Sequence, residues 1–195
     1  MYVSVIELSD RQLVKQFQSG DRKAFEAFIR RYQDRLLRIA LVSLYASKDA
    51  EDAVQETFLR AYTGLSSFRF GAEPFTWLYR TLKNVSSELN KRHLRHQGGE
   101  GGSLNDDNTL GHANALESQW SGQDELGDAL ASYKMAKQVK NLVDQLPPQQ
   151  KEIVILRVFE ELSVQQTAKI LGCREGTVKA NLHKAMNNLR QLSQK

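Results

Sequence analysis

Residues 162–184 constrain the fold more than any other segment, because they have the pattern of two helices joined by a tight turn. A small residue, Ala168, stands where the two helices must cross closely. Gly172 stands at the turn, where a backbone with positive φ costs little only for glycine. Val178 and Leu182 give the second helix an apolar stripe that can lie against the first. The pattern predicts a helix-turn-helix.

The second helix of this unit would expose a row of basic and polar side chains. These are Thr177, Lys179, Ala180, His183 and Lys184. A helix-turn-helix places its second helix in the major groove of duplex DNA. We therefore expect residues 162–184 to bind duplex DNA. The alternative is a helical hairpin that is used only for protein contact.

Charge is distributed unevenly along the 195 residues, whose formal net charge is +4. Residues 1–96 hold 16 Lys and Arg against 11 Asp and Glu, and residues 134–195 hold 11 against five. Residues 97–133 hold seven acids and neither Lys nor Arg, and they begin with a glycine-rich run. The two basic blocks could bind a polyanion at two places. The acidic stretch between them has the composition of a flexible linker.

Hydrophobic residues recur with the helical period through the first basic block. Four helices are expected there, and the residues predicted to begin or cap them are Ser9 or Asp10, Asp21, Asp49 or Ala50, and Pro74. The third helix would end near Ala61. The side chains expected on its inward face are Ala53, Val54, Phe58 and Leu59.

The second basic block has the same period, and Pro147-Pro148 would end one helix and start the next. The side chains expected to be buried in that next helix are Ile153, Leu156, Val158 and Phe159. No convincing strand alternation occurs in the sequence. The fold class is therefore all-α, with two small helical bundles joined by a flexible acidic linker and the helix-turn-helix in the C-terminal bundle. The expected boundaries are 1–96, 97–129 and 130–195.

Two further segments carry candidate functional residues. The third helix opens with Asp49-Ala50-Glu51-Asp52 and continues with Gln55 and Glu56, a face that would repel DNA. It is either a solvated face, with carboxylates at a favourable helix N-terminus, or a protein-docking surface.

Residues 68–95 combine aromatic with basic groups, which suits single-stranded DNA, where bases stack on rings and phosphates pair with Lys and Arg. Among the aromatic residues, Trp77 is expected in the core, together with its neighbour Leu78. The loop 68–73 and Asn84 are the better candidates for binding unstacked bases.

Chemistry at a catalytic or metal centre is not indicated. The only cysteine, Cys173, excludes an internal disulfide and a cysteine-rich zinc site. His93 and His96 are three residues apart but have no further nearby ligands. We find no phosphate-binding glycine loop and no nucleophile–base arrangement. We predict a protein without cofactor or enzymatic activity, located in the cytoplasm because neither a signal peptide nor a membrane span is evident.

Three motifs in order resemble the sigma-70 family of RNA polymerase subunits, in its extracytoplasmic-function group (group four). Residues 49–62 are similar to region 2.2, and Ser67-Phe68-Arg69 with residues 75–80 resemble region 2.3 and the start of region 2.4. Leu146-Pro147-Pro148-Gln149 begins a region-four pattern that continues to Gly176-Thr177-Val178-Lys179. The acidic segment falls where the family has its interdomain linker.

The resemblance implies a role for each face. The third helix would bind the clamp helices of the largest subunit of core RNA polymerase through Asp49, Glu51, Asp52, Gln55 and Glu56. The −10 promoter element would be recognised and melted by Phe68, Arg69, Arg80, Lys83, Asn84, Ser87, Lys91 and Arg92. The −35 element would be read by Arg174, Glu175, Thr177, Lys179, His183 and Lys184. The flap of core polymerase is a further expected contact, and an anti-sigma factor, able to hold the chain at the inner membrane, is an expected partner.

The sequence departs from the family in two places. Relatives commonly have Ser-Arg after Gly-Thr-Val-Lys and further arginines one turn later, where this chain has Ala180, Asn181 and Met186. Fewer cations there predict a shallower salt dependence of −35 binding. The segment Phe70-Gly71-Ala72-Glu73-Pro74 also differs from the common Phe-Arg-Gly-Asp form, so the preferred −10 bases do not carry over.

Two alternatives remain open from the residues. A stand-alone helix-turn-helix regulator would use the N-terminal bundle as a sensor or dimerisation module, and it would bind an operator without polymerase. A nucleic-acid enzyme would need metal-binding carboxylates, for which Asp49, Asp52 and Glu56 have usable spacing.

Overall fold

A computed structural model describes residues 8–99 and 138–194, and all regular structure in these ranges is helical. The chain divides by its contacts into two units, Met1–Gly102 and Ser103–Lys195. The predicted linker, residues 97–129, lies outside the described residues except for 97–99, which form the end of a helix.

Over residues 8–99 the N-terminal unit contains four α-helices and one short 3-10 turn. They are α1 (Asp10–Gln18), α2 (Arg22–Ser43), the 3-10 turn Ser47–Asp49, α3 (Ala50–Ser66) and α4 (Pro74–Gly99). Ser9 caps α1 in a capping box with Gln12, and the Asp21 side chain accepts a hydrogen bond from the Lys23 backbone N–H at the start of α2. Both satisfy backbone donors that would otherwise lack partners. The four predicted helix starts are confirmed.

The core of this unit lies where α2, α3 and α4 bury their apolar stripes. Phe28 and Leu36 of α2 and Leu78 and Leu82 of α4 are each at most 1% exposed. Gly64 of α3 lets the Trp77 ring approach closely, because a Cβ built on Gly64 would lie 2.6 Å from Trp77 Cζ2. The predicted placement of Leu78 in the core is confirmed, and Trp77 is half-buried.

Two sequence-based expectations for α3 are wrong. The helix ends at Ser66 instead of Ala61, because Leu65, which is fully buried, extends the apolar stripe by one more turn. Leu59 is 66% exposed instead of inward. The buried stripe of α3 passes through Phe58 and Ala61, and Leu59 is rotated away from it by about 100° per residue.

The C-terminal unit contains four helices in its described part. Residues 138–144 belong to α5, and α6 (Pro148–Val154), α7 (Val164–Leu171) and α8 (Glu175–Leu192) follow. Pro148 occupies the first helical position of α6, as predicted. Ser163 caps α7 through a capping box with Gln166, which begins the first helix of the predicted helix-turn-helix.

A π-helical turn, Ile155–Phe159, continues α6 and overturns two burial predictions. Ile155 and Leu156 are buried, but Val158 is 49% and Phe159 36% exposed. In the π turn the Glu160 N–H bonds to the Ile155 carbonyl oxygen, 3.0 Å away. The wider turn inserts a residue into the helical repeat and so rotates the side chains that follow out of the core.

The helix-turn-helix forms as predicted. Ile153, Ala168 and Val178 make a buried cluster at the crossing of the helices. The partly buried side chains packed around that cluster are Val164, Leu171, Cys173 and Leu182. Gly172 ends α7 in the left-handed conformation, with φ 66°. Glycine adopts this conformation without the Cβ strain that other residues incur.

Candidate protein-docking and nucleic-acid interfaces

The N-terminal half of α3 presents an acidic, amide-bearing face. Glu51, Asp52 and Gln55 are exposed, and Asp49 and Glu56 are partly exposed. Asp49 lies at the junction between the 3-10 turn and α3. Four of the five predicted docking residues therefore lie in the first two turns of α3, Asp49 immediately precedes them, and all five can be reached from solvent.

A groove between α3 and α4 borders this face and encloses about 430 Å³. Its lining residues are Asp52, Gln55, Glu56, Leu59, Arg60, Val85, Glu88, Leu89 and Arg92. Leu59 is the most exposed of the large hydrophobic side chains described in the structure. The groove thus combines an exposed leucine with surrounding carboxylate, amide and guanidinium groups, and an apolar centre with a polar rim is typical of protein-contact surfaces. Sequence reasoning placed Leu59 in the core and so missed it.

Arg60 connects the two walls of the groove. Its Nε donates to Glu56 Oε1 of α3 at 2.7 Å, and its Nη2 donates to Glu88 Oε2 of α4 at 2.9 Å. The hydrogen bond from Arg60 lowers the pKa of Glu88 below its ordinary value. Arg60 thus offsets part of the charge on Glu56 and Glu88. Asp52 is a further exposed carboxylate of the groove, and a basic partner could pair with it.

The exposed face of α4 carries most of the predicted −10 residues. Arg80, Lys83, Asn84, Ser87 and Lys91 are exposed. Arg80, Asn84, Ser87 and Lys91 follow one another at spacings of four, three and four residues, and Lys83 is four residues before Ser87, so the five lie on one helix face. Arg92 is also exposed but lines the groove with α3. The structure thus groups five of these six residues on one helix face and assigns Arg92 to the groove.

The aromatic loop before α4 is packed against itself. The Phe68 and Phe70 ring centroids are 5.1 Å apart, and those of Phe68 and Trp77 are 6.1 Å apart. Phe68 is half-buried, whereas Arg69 is exposed. One side of the Phe68 ring is therefore covered by the other aromatic rings, and a base could stack only on the part of the ring that is exposed to solvent.

The predicted −35 residues lie at the start of α8 and on its outer face. Arg174, Glu175, Lys179, His183 and Lys184 are exposed, and Thr177 is half-buried. Asn181, one of the departures from the family pattern, turns its amide back to donate to the Thr177 carbonyl oxygen at 2.9 Å. It therefore adds no cation to this surface and is partly occupied within its own helix.

No group of three His, Cys, Asp or Glu side chains suited to hold a metal ion occurs within 8–99 and 138–194. Across these ranges no helix combines the length and apolar character needed to cross a bilayer.

Two family models match the chain. A model described as Sigma-70 region 2 matches residues 28–98, and a model described as Sigma-70, region 4 matches residues 136–189. The matches cover α2 to α4 and α5 to α8, which are the elements that carry the acidic face, the basic face and the helix-turn-helix.

Similar proteins extend over most of the chain. The RNA polymerase sigma-H factor of Pseudomonas aeruginosa is 30% identical, with 90% of this chain and 89% of the relative covered. The ECF RNA polymerase sigma-E factor of Haemophilus influenzae is 32% identical, with 92% of each covered. The Escherichia coli sigma-E factor is 33% identical, with 92% of this chain and 91% of the relative covered.

Two solved structures share the fold. CnrH in complex with the cytosolic domain of CnrY has a TM-score of 0.67 and 21% identity, covering 95% of this chain and 97% of that chain. The sigma factor RpoE of Bartonella quintana in complex with the anti-sigma factor NepR has a TM-score of 0.61 and 24% identity, covering 88% and 98%.

Proposed function

The chain belongs to the extracytoplasmic-function group of the sigma-70 family, and on that premise we propose that its separate faces divide the work of promoter-specific initiation. The chain is an RNA polymerase sigma factor that directs core enzyme to promoters. The observation that most supports a division of labour is the contrast within the N-terminal unit. The acidic face is on α3, and the exposed cations of α4 lie on a separate helix.

The acidic face of α3 is proposed to bind the clamp helices of the largest subunit of core polymerase. Asp49, Glu51, Asp52, Gln55 and Glu56 would meet basic and amide groups of the partner. Leu59, exposed within the groove, would supply the apolar contact that polar rims generally surround. Residues 130–195 would contact the polymerase flap, so that both units are held by core.

The −10 element is proposed to bind across the loop 68–73 and the exposed face of α4. Stacking of one base on an aromatic side chain contributes about 1 to 3 kcal/mol, which is comparable to the few kcal/mol needed to unpair a base. Asn84 would bond to the edge of a base that has left the duplex. Arg69, Arg80, Lys83 and Lys91 would neutralise the strand's phosphates, with Ser87 as a further hydrogen-bonding group. Arg92, which lines the groove with α3, would lie at the border of the core-binding surface instead. Melting then follows from tighter binding of the open strand than of the duplex, and no catalytic residue is required.

The −35 element is proposed to bind α8 in the major groove, with contacts from Arg174, Glu175, Thr177, Lys179, His183 and Lys184. Each basic block is small, so the free chain would bind promoters weakly. Core polymerase would hold both units at one promoter and so raise their effective concentration.

Regulation is proposed to involve an anti-sigma factor that covers the polymerase-binding surfaces. The two structural neighbours described above are complexes, one of them with a named anti-sigma factor, which supports this expectation. The chain is proposed to work in the cytoplasm, or to be held at the inner membrane by such a partner, and to have neither cofactor nor enzymatic activity.

Association with purified core polymerase tests the proposed function against the stand-alone regulator. The full chain should co-purify with core and should bind promoter DNA much more tightly in that complex than alone. A chain that binds a specific operator unaided and ignores core would contradict the proposal. If the chain alone, without core polymerase, altered nucleic acid and lost that activity in EDTA, it would instead be a metal-dependent nucleic-acid enzyme.

Replacement of Asn84 by alanine tests the −10 site. Asn84→Ala should reduce discrimination between preferred and altered −10 bases by roughly 5- to 150-fold, because a good side-chain pair with a base contributes about 1 to 3 kcal/mol. Core affinity should stay at the wild-type value. Gln33→Ala, on the exposed surface of α2, is the matched control. Equal losses of discrimination and core affinity would mean that Asn84 is not a base-reading residue.

Replacement of Lys179 by alanine tests the −35 site. Lys179→Ala should weaken holoenzyme binding to duplex −35 DNA by roughly 5- to 100-fold and leave core affinity intact. Arg190→Ala removes an exposed cation about 16 Å further along α8 and should have little effect. Similar losses in both variants would indicate a diffuse electrostatic attraction instead of a defined contact.

A further inference from the structure

Helix α1 contacts the recognition loop, Phe68–Glu73, through polar side chains, and the functions assigned above do not use these contacts. Gln18 is at the end of α1. Its Nε2 donates to the carbonyl oxygens of Leu65 and Phe68, each 2.9 Å away. One amide group therefore joins the last turn of α3 to the first residue of the loop, across 47 to 50 positions of sequence.

The other end and the middle of the loop are contacted by two cations of α1. Arg11 donates from Nη2 to Glu73 Oε1 at 2.8 Å and from Nε to Glu73 Oε2 at 3.3 Å. The Arg11 guanidinium and the Lys15 ammonium each lie 5.8 Å from the centroid of the Phe70 ring. Gln18, Lys15 and Arg11 thus follow the loop from its start to its end along one face of α1.

The loop needs such support because its backbone is not in a relaxed conformation. Phe70 has φ 57°, in the left-handed region that bulky residues rarely adopt. A strained residue persists only where its surroundings hold it in place. Here the surroundings are the two α1 cations beside the Phe70 ring and the Phe68 ring that packs against it.

The same contacts are poor candidates for holding α1 itself on the unit. Leu13 and Val14 are at most 2% exposed and already anchor the helix. The Arg11 and Glu73 side chains are 47% and 63% exposed, and exposed ion pairs add little to stability. A bidentate pair at this position is better suited to set the orientation of the loop than to stabilise the fold.

We propose that α1 holds the recognition loop, before DNA binds, in the conformation that accepts a base flipped out of the −10 element. Gln18 and Arg11 are the positioning residues. The inference rests on the proposed function of the loop. Because α1 already restricts the conformations of the loop, less conformational entropy is lost when DNA binds. The contacts from Gln18 and Arg11 therefore raise the affinity for the preferred strand although these two side chains do not contact it. Loss of these contacts reduces selectivity at the −10 element more than it reduces stability or core affinity.

The test uses holoenzyme and forked promoters with a constant duplex −35 region and a randomised single-stranded −10 region. Gln18→Met keeps the length of the side chain and removes the two hydrogen bonds, and Gln16→Met on the exposed side of α1 is its control. Gln18→Met should lower the ratio of initiation on preferred over non-preferred sequences by about 2- to 12-fold, the range expected when one side chain's ordering is lost. Core affinity and Tm should match those of Gln16→Met. A wild-type ratio in Gln18→Met overturns the inference.

Arg11 is tested through its partner. Glu73→Ala should lower the ratio, and Arg11→Ala should lower it at least as much, because it also removes the contact with the Phe70 ring. The double variant should lose less than the sum of the two single losses, because both remove the same ion pair. If Glu73→Ala instead strengthens binding of all sequences while Arg11→Ala weakens all of them, Arg11 contacts DNA directly and the inference is overturned. Absence of initiation by wild-type holoenzyme above core alone contradicts the proposed function itself, and the two failures are therefore distinguishable.

Discussion

Asp52→Lys should remove most of the affinity of the chain for core RNA polymerase. Asp52 is exposed, lies on the acidic face of α3 and lines the groove that contains Leu59. Reversing a charge at a complementary interface replaces an attraction by a repulsion and costs about 2 to 4 kcal/mol, or roughly 30- to 1,000-fold in Kd. The measurement is the equilibrium binding of labelled full-length chain to purified core, repeated at two salt concentrations.

The matched control is Asp34→Lys, which makes the same charge reversal on the exposed surface of α2. It should bind core as the wild type does, and both variants should keep the wild-type circular dichroism spectrum. Equal core affinity in Asp52→Lys and Asp34→Lys would mean that the acidic face of α3 is only solvated.

Gly64→Val should destabilise the N-terminal unit by about 3 kcal/mol, a loss of roughly 12 to 24 °C in the Tm of a domain this size. Even one added carbon would lie 2.6 Å from Trp77 Cζ2 and 2.8 Å from Trp77 Cη2. The indole ring also packs beside Phe68 and is therefore not free to move aside without disturbing the recognition loop. Thermal unfolding of the full chain, followed by circular dichroism, measures the effect.

Gly71 provides the control, because a Cβ built there meets nothing within 4 Å. Gly71→Val should leave the Tm near the wild-type value. A second variant locates the cause: Trp77→Phe removes the ring atoms that collide, so Gly64→Val should cost less in that background. Wild-type stability of Gly64→Val would show that the close approach of α3 to Trp77 carries no energetic consequence.

Helix starts and the helix-turn-helix were predictable from sequence because their causes are local. Ser9 and Asp21 cap helices through hydrogen bonds that span only two or three residues. Gly172 marks the turn because its φ is positive. The end of α3 was not predictable, since no nearby residue stops the helix and Leu65 is buried only by its tertiary neighbours. The π turn that exposes Val158 was not predictable either, because no residue near it in sequence marks the change from the α-helical to the π-helical hydrogen bond.

The candidate surfaces were predictable to the extent that they depend on exposed charge. Acidic residues at the start of α3 and basic residues along α4 follow from helical spacing alone. The contacts that organise these surfaces join distant positions. Arg60 meets Glu88 across 28 residues, and Arg11 meets Glu73 across 62. Which exposed groups pair at such separations depends on how the helices pack, and a single sequence does not contain that information in a readable form.

The central claim is that separate faces of this chain join core enzyme to defined promoters. The most direct test is transcription by purified core polymerase on a library of promoter sequences. Adding the full-length chain should produce transcripts from a subset of templates that share two spaced elements. Asn84→Ala should relax the downstream element, and Lys179→Ala should weaken dependence on the upstream one. No transcripts above those of core alone, from a chain that is folded and active in binding an operator unaided, would contradict the claim.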